Sequence, residues 1–232
     1  MITLAERVWR RDVVSGLEDW LSRMLSEAGG GWVRVSRRED GWLILEAEDE
    51  RLASSILKLY TRLPIVAQSR EPRTAKILEL EEKILRYCYP SEEGSAALEA
   101  ETARWAASLG SATSSPKVFL EAAGIVEGAA VSVSVGLPSL LQLSLLREAL
   151  LRGLDRVLLI DLTPPEVEKL LQESGRLIAY HEPLTTLTHL LYIKLGVRLD
   201  KALETIRKRL ERIAPGSTLR PLSWKTLARE LE

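Results

Sequence analysis

The chain is expected to be an α/β protein built on a mainly parallel sheet with helices on both faces, and three observations predict this. The second half alternates strand-like and helical runs: AAVSVSV (129–135), PSLLQLSLLREALLRG (138–153), RVLLIDL (156–162), PPEVEKLLQESG (164–175) and RLIAY (176–180). RVLLIDL is apolar almost throughout, as a strand covered on both faces is. Residues 42–69 read as β-loop-α-β, the unit that joins parallel strands.

Taken in order, residues 12–28 place Val13, Leu17, Trp20, Leu21, Met24 and Leu25 on one helical face, and Gly29-Gly30-Gly31 stops that helix. WVRVSRR (32–38) and WLILEAE (42–48) flank Asp40-Gly41 and read as a β-hairpin. Residues 50–62 carry Leu52, Ile56 and Leu59 at helical spacing; Pro64 ends that helix before a short strand, PIVAQS (64–69). Residues 73–109 fit a helical insertion, TAKILELEEKILRYCY and SAALEAETARWAASL around a PSEEG joint. GSATSSP (110–116) is the best linker, dividing the chain into halves at 1–110 and 111–232, or marking a loop in one continuous domain. Beyond residue 180, helices are expected at 185–194 and 199–213; Pro215-Gly216 breaks the chain before a last short helix.

Composition narrows the function classes. With 232 residues, 46% hydrophobic, the chain can bury a sizeable core, and a net charge of −1 gives no basic excess that demands nucleic acid. Cys88 is the only cysteine, which removes an intramolecular disulfide and a Cys-type zinc site and suits a reducing cytosol. No apolar run reaches membrane-spanning length and MITLAERVWRRD has no signal-peptide core, so a cytoplasmic protein with no membrane partner is expected. The absence of asparagine, with abundant Arg and Glu, points to a hyperthermophile.

Ligands of parallel sheets bind at the carboxyl ends of strands. Three such ends carry acids or imidazole: Glu48-Asp49-Glu50, Asp161, and His181-Glu182. Glu48, Glu50, Asp161 and His181 on one sheet edge could hold Mn²⁺ or Mg²⁺ and activate water; alternatively, each acid caps a helix or faces solvent. There is no P-loop, no G-x-G-x-x-G and no G-x-S-x-G, and His189 reads as a helix residue.

The order of these residues resembles the DHH phosphoesterase family. EDERLASSIL (48–57) is similar to its opening motif D-x-D-G-x-x-S-x-x-L, with Glu48 and Glu50 at the Asp positions, Arg51 at the Gly and Ser54 at the Ser. Asp161 stands where the second Asp motif would fall, and Tyr180-His181-Glu182 where Asp-His-His would fall. The intervening helical stretch resembles the RecJ-like branch, which includes the archaeal cofactor of the replicative CMG helicase. The resemblance covers about 42–183. The departures bear on activity: Asp-to-Glu adds a methylene against a tolerance of about 0.5 Å, Arg51 adds bulk at a tight turn, and Tyr180 stays protonated at neutral pH. The resemblance therefore implies a catalytically inactive interaction subunit of the archaeal replication helicase, with GINS and MCM as partners and single-stranded DNA nearby. No catalytic residue and no cofactor are expected, with Mn²⁺ or Mg²⁺ at the vestigial ligands as the alternative.

Two other readings stay open. One is an active Mn²⁺- or Mg²⁺-dependent phosphoesterase or single-strand nuclease using the same four residues. The other is an RNA-binding module, because 12–69 also resembles the ferredoxin-like opening domain of tRNA thiouridine synthases. Six Trp against one Phe favour interfaces or stacking surfaces, and Trp32 and Trp42 with Arg34, Arg37 and Arg38 form the candidate nucleic-acid or partner surface. If 42–48 shares a sheet with 156–160 the phosphoesterase reading gains; if 12–69 folds separately the RNA reading gains.

Overall fold

The structure, a computed structural model, describes residues 1–8, 10–66, 71–90, 95 and 97–232. Trp9, the end of the 64–69 strand and residues 91–94 of the PSEEG joint lie outside the described residues.

A strand not expected from the sequence, β1 (Ile2–Arg7), opens the chain, followed by α1 (Asp12–Glu27), β2 (Val33–Arg37), β3 (Trp42–Ala47) and α2 (Glu50–Tyr60). The hairpin forms as expected, with Val35 opposite Leu45 and Arg34 opposite Glu46. Val33, Val35, Leu43 and Leu45 pack with Leu17, Leu21 and Leu57 of the two helices. The strand order is β1-β3-β2, and Leu4 bridges Val66 on the other side of β1. A β-α-β-β-α-β run in this order is a ferredoxin-like unit.

Residues 73–109 are not a helical insertion. They form β4 (Arg73–Leu80), β5 (Ile84–Cys88), β6 (Ala97–Glu101) and only one short helix, α3 (Thr102–Ser108). After α4 (Pro116–Ala122) the chain adds β7 (Ala130–Ser134), β8 (Leu137–Pro138) and α5 (Leu140–Arg152), giving a five-stranded sheet ordered β6-β5-β4-β7-β8. TAKILELEEKIL is rich in helix formers, but Glu81 N–H bonds to the Ile84 carbonyl and turns the chain back on itself. Central β4 is then covered on both faces, which overrides local propensity. Trp105 of α3 and Phe119 of α4, on either side of residue 110, share one core with Ile77 and Val131.

The last region runs β9 (Arg156–Ile160), α6 (Pro164–Ser174), β10 (Ile178–Pro183), β11 (Thr188–Ile193), α7 (Leu199–Ile213), β12 (Thr218–Leu222) and α8 (Trp224–Arg229). Its sheet is ordered β10-β11-β9-β12. The expected parallel sheet is absent: every strand pair among the described residues is antiparallel. The reason lies in THLLYI. The segment expected to be a helix at 185–194 is β11, which inserts between β9 and β10 and pairs antiparallel with both. The β9-α6-β10 crossover is real, but its two strands are not neighbours.

The order of this four-stranded sheet, with β9 as its first strand, is again ferredoxin-like. Two units of one topology thus flank the five-stranded sheet. Their equivalent first helices touch: a Cβ on Gly16 of α1 would lie 3.1 Å from Thr163 Cγ2 beside the start of α6, a contact tight enough that Thr163 would have to shift by a few tenths of an ångström. Among the described residues no helix is long and apolar enough to cross a membrane.

Candidate functional site

The carboxyl ends of the two equivalent first strands, β1 and β9, meet beside β4. A cavity of about 240 Å³ lies there, with Arg7, Lys76, Glu127, Asp161, Thr218 and Arg220 among its walls. Each of the three sheets contributes at least one charged side chain.

The floor is a buried ion pair. Glu6 of β1 is fully buried; its Oε1 accepts hydrogen bonds from Thr186 Oγ1 at 2.9 Å and from Leu187 N–H at 3.0 Å, and its Oε2 faces Lys76 Nζ at 3.1 Å. Lys76 Nζ also donates to Thr188 Oγ1 at 3.3 Å. Lys76 points this way because alternate residues of β4, Ala75 and Ile77, fill the core on the opposite face. Arg7 donates from Nε to the Asp40 carbonyl at 2.9 Å.

Asp161 directly follows β9 with φ +62°, one of two non-glycine residues among those described in the left-handed region. Arg10 Nη1 donates to its carbonyl at 2.8 Å, and Arg10 also holds Glu166 at 2.8 Å. Glu166 in turn accepts from Thr163 N–H at 2.7 Å, capping α6. The backbone carbonyl of Asp161 is therefore held by a side chain that is itself tied to the cap of α6. The Asp161 side chain is not held: the residue is only 7% exposed, yet its carboxylate has no hydrogen-bond or ion-pair partner among the described residues. Burial pushes its pKa above the ordinary value, with the Lys76 charge opposing the rise.

The four residues expected to share a metal each have a different surrounding. Glu48, just past β3, packs against Gly31, where a Cβ would meet the Glu48 side chain. Glu50 opens α2 and pairs with the amino group of Met1. Asp161 lines the junction cavity. His181 of β10 faces His189 of β11, Nε2 to Nδ1 at 3.2 Å. Strands 42–47 and 156–160 belong to different sheets, so the motif positions do not share an edge. Among the described residues no three His, Cys, Asp or Glu side chains are placed to hold one metal ion. The donors present do not fit the metal pair that the resemblance implies.

His189 is a fully buried strand residue, not a helix residue; its Nε2 lies 3.1 Å from the Leu162 carbonyl. Glu182, the third residue of the Tyr-His-Glu run, pairs with Arg62 and accepts from Tyr192 Oη at 3.2 Å.

The expected nucleic-acid or partner surface divides. Trp32 is 57% exposed, whereas Trp42 is fully buried. Arg34 and Arg37 are exposed on the edge strand β2, and Arg38 pairs with Asp40 at 3.1 Å. Trp32 just before β2 and Arg37 at its far end stand about 16 Å apart at 3.3 Å per residue.

Sequence reasoning missed Glu6, Lys76, Arg10 and Arg220. The acid that follows Leu4-Ala5 in the strand ITLAER is the signal that could have marked Glu6. Lys76 carried none, because its segment has helical periodicity.

No protein-family model matches the chain, and a search of curated proteins finds no relative.

Proposed function

We propose that the protein works by binding a small polar ligand in the junction cavity, not by two-metal hydrolysis. The observation that carries this reading is Asp161. A left-handed backbone at a non-glycine residue costs of the order of 1 kcal/mol. The Asp161 carboxylate has no protein partner among the described residues and is largely buried in the cavity wall, which disfavours its charged form. A fold keeps such a residue where a ligand supplies the missing partner, and buried unpaired polar groups cluster at such sites. The test is thermal unfolding of Asp161→Gly and Asp161→Asn. Glycine removes both the backbone strain and the buried charge, and asparagine removes the charge. The expected result is a higher Tm for both variants, by about 2–4 °C per kcal/mol for a chain of this size. A lower Tm in both would make Asp161 a structural residue and end the proposal.

A second reading rests on a separate observation: the ferredoxin-like order of residues 2–66, with exposed Arg34 on its edge strand and exposed Trp32 just before it. This supports the RNA-binding alternative, because an exposed indole offers a stacking face and arginine a phosphate contact. Fluorescence anisotropy with labelled single-stranded RNA tests it. Salt-sensitive binding lost in Trp32→Ala is expected; absence of binding at low salt sinks it. Capture of GINS or MCM by the same surface, again lost in Trp32→Ala, would instead return the helicase-subunit role.

A further inference from the structure

The charges around the junction cavity define the class of ligand, an inference that rests on the cavity being a ligand site. Most of them are already matched internally: Lys76 with Glu6, and Arg10 with Asp12 and Glu166. Three charged side chains of the wall have no ion-pair partner among the described residues: Glu127, which is exposed to solvent, and two of opposite sign at well-separated points. One is the Asp161 carboxylate at the buried end. The other is the Arg220 guanidinium, on the exposed part of β12. In the sheet register Arg220 lies opposite Leu158, three residues before Asp161, which separates the two backbones by about 10 Å along β9. Two long-range features keep them apart: β12 is an edge strand held at its register by β9, and Asp161 is fixed by Arg10.

We propose that the cavity takes a small zwitterion, with an ammonium group directed to Asp161 and a carboxylate or phosphate directed to Arg220. A simple anion would leave the buried carboxylate unpaired and would meet its field. A simple cation would satisfy Asp161 and leave Arg220 unused. A molecule carrying both charges a few ångströms apart matches both, and the arginine fork suits either oxyanion. The cavity volume of about 240 Å³ falls below the usual range for drug-sized ligands, which selects a compound of a few heavy atoms. The carboxylate and phosphate forms share this chemistry, and the choice of probes separates them.

The experiment is a thermal-shift titration of the full chain with γ-aminobutyrate and phosphoethanolamine, against acetate, inorganic phosphate and methylammonium. The expected result is a saturable rise in Tm of several degrees with one or both zwitterions, absent with the three singly functional probes. The rise should be lost in Asp161→Asn and in Arg220→Ala, an exposed substitution that leaves the core intact. A γ-aminobutyrate response alone identifies a carboxylate ligand, and a phosphoethanolamine response alone a phosphate ligand. An equal rise with acetate or phosphate that persists in Asp161→Asn overturns the zwitterion and leaves the cavity as an anion site. No rise with any probe, together with stabilised Asp161 variants, overturns the zwitterion but not the ligand site. No rise together with destabilised Asp161 variants overturns both.

Discussion

Arg10 Nη1 donates to the carbonyl oxygen of Asp161 at 2.8 Å, joining the loop after the first strand of one ferredoxin-like unit to the end of the first strand of the other. The same guanidinium holds Glu166, which caps α6. One side chain thus sets the conformation of Asp161, orients the helix that follows it, and ties the two units together.

Removal of Arg10 should therefore cost more than an exposed ion pair would. Arg10→Ala loses charge-assisted hydrogen bonds from a largely buried guanidinium, and the expected destabilisation is about 1.5–3 kcal/mol. Denaturant unfolding measures it. Arg10→Lys should recover only part, because an ammonium cannot span the Asp161 carbonyl and Glu166 as the planar fork does. Full recovery by lysine would show that charge alone matters.

The Glu6–Lys76 pair makes a sharper prediction, because both side chains are buried. Lys76→Met leaves Glu6 charged without its counterion and should cost about 3–5 kcal/mol. The double variant Glu6→Gln, Lys76→Met removes both charges while keeping an acceptor for Thr186 and Leu187. It should regain most of the loss, a coupling that a double-mutant cycle reads directly. Additive losses would mean that the two residues act independently.

Acid stability should show the histidine pair. Burial pushes His181 down to about 4 and His189 down to about 3, from an ordinary 6.5. The unfolded chain then binds more protons than the folded one below pH 6.5. The stabilisation is complete above that pH and is lost as pH falls toward 4 and then 3. Each imidazole adds a slope of about 1.4 kcal/mol per pH unit inside its window. Asp161 acts with the opposite sign: its pKa is raised, so it favours the folded state below 3.8 and loses that contribution as pH rises through its folded value. Unfolding followed between pH 7 and 4 should show a steep fall, reduced in His181→Gln. An equal slope in that variant would place the proton uptake elsewhere.

Much of the local structure was legible, and the failures share one cause. The hairpin at Asp40-Gly41, the helices carrying Leu17 and Leu57, and the apolar run of β9 all follow from period and turn chemistry. β4 and β11 do not, because both are covered on two faces. THLLYI is buried at every position, so it has no alternation to read, and TAKI shows the same burial from Thr74 to Ile77. Misreading β11 as a helix is what turned a split, antiparallel arrangement into an expected parallel sheet. Asp161 was legible as an acid at the end of a buried strand. Its surroundings were not, since Arg10, Glu6 and Lys76 reach it from parts of the chain at least 85 residues away and no local pattern encodes such contacts. Trp32 and Trp42 flank one hairpin, yet only the first is exposed, because Trp42 lies within the sheet and Trp32 precedes it.

The most direct test of the account is the side-chain ¹³C NMR titration of the Asp161 carboxyl in the wild-type chain, alone and with phosphoethanolamine or γ-aminobutyrate. The expected result is a pKa above 3.8 in the free protein, because the carboxylate is largely buried without a protein partner, and a downward shift when an ammonium group reaches it. A free-protein value at or below 3.8, unchanged by either compound, would mean that Asp161 is already paired and that the junction cavity awaits no ligand.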